Sequence, residues 1–125
     1  KKGKISAREI DYVSRHGEVV KALREWRKNK GLKPGQRIVK TALIDLGVSS
    51  GSKLNEIYEV KASSGRGEVY TGIGPLAVHA QNSDCSRTLV LPANDALAPD
   101  LAAALKRNNI HLQLYRLTEA GVNLL

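Results

Sequence analysis

The sequence predicts an α/β domain in which a small mixed β-sheet is flanked by helices. Apolar residues recur at helical spacing near the start of the chain, and short apolar or alternating runs typical of strands follow later. In chain order the segments read α, β, β, α, β, α, β, which favours α/β architecture. With 125 residues we expect a single domain over 1–125, and the absence of a starting Met suggests a segment of a longer polypeptide.

The first predicted element is a long helix over 6–31. Ser6 and Glu9 form a capping-box pattern at its start, and Gly31 supplies a stop. Its buried stripe consists of four apolar residues at helical spacing: Ile10, Val13, Val20 and Leu23.

Strands are expected next. The run "RIVKTALIDLGV" (37–48) predicts one or two strands, and "SSGSKLN" (49–55) predicts a turn. The segments 41–48 and 56–62 would then pair as a hairpin. Four elements follow: a helix over 69–80, a strand over 87–93, a helix over 98–109 and a strand over 110–117.

Positive charge is concentrated in the first third of the chain. Residues 1–40 contain thirteen Lys and Arg against four Asp and Glu, whereas residues 41–125 contain seven against eight. This asymmetry is typical of a phosphate-facing surface and predicts a nucleic-acid partner, although a solvated helix would carry the same charge. The candidate phosphate contacts are five basic residues on the first helix: Lys21, Arg24, Arg27, Lys28 and Lys30.

Cysteine content and hydropathy bear on the compartment. Cys85 is the only cysteine, which leaves no internal disulfide and favours a reducing, cytoplasmic location. No apolar run approaches the roughly 18 residues of a membrane span, and no signal-peptide pattern is present. We therefore expect no membrane partner, while a homodimer and further domains of a parent polypeptide stay open.

An acidic pair and a lysine lie in the predicted hairpin. Side chains alternate along a strand, so Glu59 and Lys61 of "IYEVKAS" share one face. Asp45 lies fourteen residues before Glu59 in an apolar run, where an unpaired carboxylate would be costly. Strand pairing would place the two carboxylates side by side, and Mg²⁺ or Mn²⁺, with the Val60 carbonyl as a further ligand, would relieve their repulsion. Lys61 would face a bound water or phosphate.

These residues resemble a known family. "IDL" (44–46), a turn, "YEVK" (58–61) and "YTGIGPLAVHA" (70–80) are similar to the PD-(D/E)xK nuclease superfamily, and the later segments resemble its remaining core elements. The resemblance implies a restriction-endonuclease-like core of αβββαβ order and Mg²⁺-dependent hydrolysis of phosphodiester bonds, in DNA more than RNA. It implies that Asp45 and Glu59 bind the metal and that Lys61 assists the attacking water.

The family often adds an acidic residue on the first helix. Glu18 fits by its distance of 27 residues from Asp45, but its helical phase is opposite to the buried stripe. Glu9 and His16 fall on the stripe, and "RHGEVV" partly resembles relatives that carry a His there. We rank His16 above Glu18, with an ordinary packed histidine as the alternative.

The helix after the ExK strand departs from the family pattern. Many members carry a Gln and, four residues later, a Tyr, where this chain has Pro75 and His79. A proline inside a helix removes a hydrogen bond, so the helix is expected to begin near Gly74 or to kink. His79 is a candidate site residue, with a surface histidine as the alternative.

Two further functions stay open at this point. The chain could be a catalytically inactive nuclease-fold module that binds nucleic acid. It could also be an RNA-cleaving toxin segment of a secreted protein, which would require an immunity partner.

Overall fold

The computed structural model describes residues 7–125, with side chains described from residue 15 onward. The predicted capping box of Ser6 and Glu9, Glu9 as a site acid, and the side chains of Ile10 and Val13 lie outside the described residues. Within the described range the elements are α1 (Ala7–Asn29), β1 (Gln36–Val39), β2 (Leu46–Ser50), β3 (Lys53–Val60), α2 (Arg66–His79), β4 (Ser86–Pro92), α3 (Pro99–Arg107), β5 (Ile110–Thr118) and β6 (Gly121–Leu124).

The six strands form one mixed sheet in sequential order. β1, β2 and β3 are antiparallel neighbours, β4 and β5 each run parallel to the strand before them, and β6 is antiparallel to β5. A parallel pair requires a crossover connection, which α2 and α3 supply. The prediction of an α/β fold with a mixed sheet and flanking helices is confirmed.

Helices cover both faces of the sheet. Tyr58 and Val60 of β3 point to the face that α1 covers, where they pack with Val19, Val20 and Leu23. Ile57, one residue before Tyr58 in the alternation, points to the other face, as do Leu89 and Leu91 of β4. On that face α2 and α3 pack through Val69, Leu76, Leu101 and Leu105. Cys85 is a free, buried residue of this second core.

The 37–48 run divides into two strands with a turn between them. The hydroxyl of Thr41 accepts hydrogen bonds from the backbone N–H groups of Leu43 and Ile44 at 3.1 and 3.3 Å, so the chain turns here. The placement of Asp45 inside a strand is therefore wrong: it lies just before β2. The predicted pairing with the ExK strand is confirmed, with Leu46 opposite Tyr58.

Other boundaries shift for local reasons. The turn predicted over 49–55 contracts to two residues, because Gly51 adopts a φ of 59° that permits a tight hairpin between Ser50 and Lys53. α2 begins at Arg66 and runs through Pro75, so the expected start near Gly74 is wrong. β6 was not expected from the sequence; it is short, and among the described strands it pairs with β5 alone, at the sheet edge.

Candidate functional site

The carboxylates of Asp45 and Glu59 are fixed by hydrogen bonds from backbone N–H groups. The Oε2 atom of Glu59 accepts a hydrogen bond from the Asp45 N–H at 2.9 Å. In return, Oδ2 of Asp45 accepts one from the Val60 N–H at 2.8 Å. These reciprocal bonds fix the two carboxylates side by side where β2 begins and β3 ends, as the sequence predicted.

His16 joins this pair from α1. Its Nε2 lies 3.3 Å from Oδ2 of Asp45, and the two residues are 29 positions apart in the chain. Both side chains are about a quarter exposed. Of the first-helix candidates whose side chains are described, His16 therefore contacts the carboxylate pair, whereas Glu18 is exposed to solvent.

Lys61 is positioned by groups on three other elements. Its N–H donates to the carbonyl of Val90 at 3.0 Å, and its carbonyl accepts from the Tyr115 hydroxyl at 2.8 Å. Its aliphatic chain lies against Gly72 of α2, where an added Cβ would come within 3.4 Å of Lys61 Cγ and 2.5 Å of Leu89 Cδ1. Gly72 thus lets α2 pack closely on β3 and β4, and this close packing confines the lysine.

The charges of the site influence one another. Burial, and then repulsion by Asp45, raise the pKa of Glu59 from 4.5 to about 7. Burial also acts to raise the pKa of Asp45, but hydrogen bonds with His16 and Val60 outweigh it and leave that pKa below its usual value. The hydrogen bond to Asp45 raises the pKa of His16. The positive charge of Lys61 acts to lower the pKa of both Asp45 and Glu59, so the ammonium is close enough to interact with both carboxylates.

Stability should therefore decrease with rising pH in metal-free solution. Between pH 4.5 and about 7 the folded state keeps the Glu59 proton that the unfolded state has lost, so unfolding becomes easier as pH rises through this window. The shift corresponds to about 3 kcal/mol at most. His16 acts in the same direction above pH 6.5. Urea unfolding in EDTA should show this slope. Glu59→Gln should flatten it, and a Glu119→Gln control at an exposed glutamate should not; a slope retained in Glu59→Gln would contradict the assignment.

The donor set can be compared with the needs of a hard divalent cation. Within the described part of the chain, Oδ1 of Asp45 and Oε1 of Glu59 accept no hydrogen bond, so each carboxylate keeps one oxygen free. Two carboxylate oxygens, completed by waters or phosphate oxygens, suit Mg²⁺. Among the described residues, however, no group of three or more His, Cys, Asp or Glu side chains could hold a metal by itself. Asp45 and Glu59 therefore fit a cation whose remaining ligands come from substrate and solvent.

The predicted phosphate contacts divide into two sets. Lys21, Arg24 and Lys28 are exposed, and their helical spacing places them on one flank of α1. Lys30, just after α1, is also exposed, with its Nζ 4.4 Å from the centroid of the Trp26 ring.

Arg27 requires a correction. It is only 8 % exposed, and its guanidinium donates to both carboxylate oxygens of Glu56 at 2.8 and 2.9 Å and to the Gly31 carbonyl at 2.7 Å. Arg27 therefore pairs with Glu56 and closes the end of α1 instead of facing phosphates. Its position follows the buried stripe, four residues after Leu23, which is the signal that could have separated it from the exposed lysines.

Nucleic-acid affinity should depend on the exposed flank and on salt. Changing Lys21, Arg24 and Lys28 to Gln should reduce the slope of log affinity against log salt by roughly 0.9 per lost duplex phosphate contact. Filter binding or anisotropy in EDTA measures this slope. The matched control replaces three basic residues that are also exposed but lie outside α1: Lys40, Lys106 and Arg107. Equal losses in both triple variants would mean that only net charge matters.

His79 lies apart from the carboxylates. It borders a separate, largely apolar cleft of about 320 Å³ between the end of α2 and the β1–β2–β3 end of the sheet, and Asp45, Glu59 and Lys61 do not line this cleft. The sequence also missed Gly72 and Tyr115, which position Lys61. Tyr115 is 54 residues away from Lys61, so no local pattern could have indicated their contact.

Comparison with known proteins adds no relative: no family model, no curated protein and no solved structure matches this chain. In the part of the chain that the structure describes, the helices are too short or too polar to cross a membrane.

Proposed function

We propose that the chain is a metal-dependent nuclease domain that hydrolyses phosphodiester bonds, in DNA more than RNA. The observation that carries the proposal is the reciprocal bonding of Asp45 and Glu59 beside Lys61 and His16. Burying two adjacent carboxylates weakens a fold, and such destabilising arrangements with perturbed pKa values concentrate at functional sites. Glu59 is only 6 % exposed and has a pKa raised to about 7.

The order of elements supports the same proposal. A helix, three antiparallel strands, a crossover helix and a parallel fourth strand follow one another, which is the αβββαβ order of a restriction-endonuclease-like core. Asp45 immediately precedes the second strand, Glu59 lies at the end of the third, and Lys61 directly follows that strand. We therefore extend the PD-(D/E)xK resemblance to the fold as well as the motif.

Each residue has a distinct role in the proposed reaction. A bound Mg²⁺ would supply Lewis-acid chemistry and lower the pKa of a water. Asp45 and Glu59 would hold that ion through their free oxygens, with the Val60 carbonyl as the further ligand that the sequence suggested. Lys61 would orient the attacking water or neutralise charge on the phosphate. His16 would position Asp45 through their hydrogen bond.

A specific observation favours a second candidate, a module that binds nucleic acid without cleaving it. Among the described residues, no cluster of three metal-ligating side chains is present. Pro75 also stands inside α2, where many members of the PD-(D/E)xK superfamily carry a hydrogen-bonding Gln. Such a module would keep the basic flank of α1 and its salt-dependent affinity while showing no Mg²⁺-dependent turnover.

One experiment separates these functions. The purified chain is incubated with supercoiled plasmid, single-stranded DNA and tRNA, each with Mg²⁺, Mn²⁺ or EDTA. Cleavage of DNA with either metal, abolished by EDTA, is the expected result. Cleavage of tRNA alone would favour the RNA-cleaving toxin function. Salt-sensitive binding without cleavage of any substrate would overturn the nuclease proposal in favour of the binding module.

A further inference from the structure

A second cavity lies on the α1 face of the sheet, away from the carboxylate pair. It has a volume of about 380 Å³, its floor is formed by the first halves of the parallel strands β4 and β5 with part of β3, and the last turn of α1 forms one wall. Asp45, Glu59 and Lys61 do not line it. Its volume is at the lower end of the range of about 300–1,000 Å³ that is usual for small-ligand pockets.

Polar groups on the floor have unused hydrogen-bonding capacity. Thr88 is 7 % exposed, and its hydroxyl makes no hydrogen bond with any described residue. Gln113 uses its amide nitrogen to donate to the carbonyls of Leu114 and Leu125, at 3.1 and 2.7 Å, which leaves its side-chain oxygen available as an acceptor. The Thr88 hydroxyl still reaches the solvent of the cavity, so a ligand with a polar edge can replace water at this hydroxyl and at the Gln113 oxygen by direct hydrogen bonds.

The wall of the cavity is fixed by a partly buried charge network. Glu56 accepts hydrogen bonds from Arg27 and, at 2.7 Å, from the Tyr58 hydroxyl. Because Arg27 and Glu56 neutralise each other, Lys30 supplies the remaining permanent charge among the described residues that line the cavity, which also include His111. The cavity therefore favours a ligand with a negative group near α1 and a neutral polar group on the floor.

Trp26 and Lys30 supply the two features that single-stranded nucleotides recognise. Trp26 is partly buried and lines the cavity, and the exposed Lys30 ammonium lies over its ring. Unpaired bases stack on aromatic side chains, while nearby cations contact the phosphate. An exposed lysine moves readily, so a base can replace the ammonium on the indole while the ammonium turns to the phosphate.

We propose that this cavity binds one unstacked nucleotide of a single-stranded segment, with the base against Trp26 and its edge bonded to Thr88 and Gln113, and the phosphate at Lys30. The inference deepens the proposed function and rests on it only in taking nucleic acid as the substrate. The cavity would then anchor a single-stranded end or flap while the carboxylate pair acts on the strand elsewhere.

The sole tryptophan of the chain makes this binding directly measurable. Titration of the full chain in EDTA with dAMP, deoxyadenosine or inorganic phosphate should give a saturable change in Trp26 fluorescence for dAMP, a weaker one for deoxyadenosine and none for phosphate. Thr88→Val keeps the side-chain shape and should weaken dAMP binding about five- to tenfold, the loss of one hydrogen bond. Lys30→Gln should abolish the preference for dAMP over deoxyadenosine.

Controls separate this site from the proposed nuclease site. Asp45→Asn and Lys106→Gln should bind dAMP like the unsubstituted chain, so the cavity is tested whether or not the chain cleaves DNA. A single-stranded oligonucleotide should change Trp26 fluorescence at lower concentration than dAMP, and a blunt duplex should not. No saturable change with dAMP or the oligonucleotide, or unchanged affinity in both Thr88→Val and Lys30→Gln, would overturn the proposal. Binding of dAMP without the oligonucleotide would overturn its single-strand part.

Discussion

Asp45→Asn should abolish Mg²⁺-dependent cleavage while leaving the fold intact. Asparagine keeps an oxygen that can accept the hydrogen bond of the Val60 N–H, but it removes the charge that would hold the cation. Metal chemistry of this kind supplies several kcal/mol to a transition state, which corresponds to a loss of roughly 10³ or more in rate. Single-turnover cleavage of a labelled substrate at saturating Mg²⁺ measures the effect.

The fold of this variant is checked separately. Removing one of two adjacent carboxylates relieves repulsion on Glu59, so the thermal midpoint in EDTA should stay the same or rise. Asp84→Asn is the matched control, because Asp84 is highly exposed and forms only a loose ion pair with Lys53 at 3.7 Å. A folded Asp45→Asn protein that cleaves like this control would remove Asp45 from the site.

The fold could be predicted where one face of an element is buried and the pattern is therefore strong. Val20 and Leu23 of α1 and the alternating residues of β3 follow such patterns, and their elements are present. The loop before β2 could not be predicted, because the side-chain hydroxyl of Thr41 turns an apolar run that otherwise resembles a strand. β6 was missed because it has four residues and one neighbour, which leaves no periodicity to detect.

The candidate site could be predicted where its contacts follow from strand pairing. Once β2 pairs with β3, the proximity of Asp45 and Glu59 is a matter of register. Contacts between distant elements were harder. Helical phase favours His16 over Glu18 as a site residue, and His16 does contact Asp45. The hydrogen bond from Tyr115 to Lys61 depends on tertiary packing, which no spacing in the sequence reveals. Arg27 shows a different error. Its charge predicts an exposed phosphate contact, although its position on the helix falls on the buried stripe.

Lys61→Ala should reduce the rate of cleavage by roughly 10²–10³, the usual cost of removing one preorganised charge that acts in the transition state. The backbone N–H and carbonyl of Lys61 keep their bonds to Val90 and Tyr115, so the substitution should leave the end of β3 in place. The affinity for nucleic acid in Ca²⁺ should change much less than the rate, because the lysine stabilises the transition state more than the bound ground state.

Arginine should not fully replace Lys61. Lys61→Arg should restore only part of the rate, since a broad planar guanidinium replaces a compact ammonium in the confined space beside Gly72. The matched control is Lys53→Ala, which removes an exposed lysine at the other end of the same strand. If ExK were only a solvated strand face, Lys61→Ala and Lys53→Ala would behave alike and retain the unsubstituted rate. Equal rates in the two variants would therefore mean that Lys61 has no catalytic role. A large loss of rate in Lys61→Ala alone, at unchanged affinity for nucleic acid in Ca²⁺, would place its charge at the reacting phosphate.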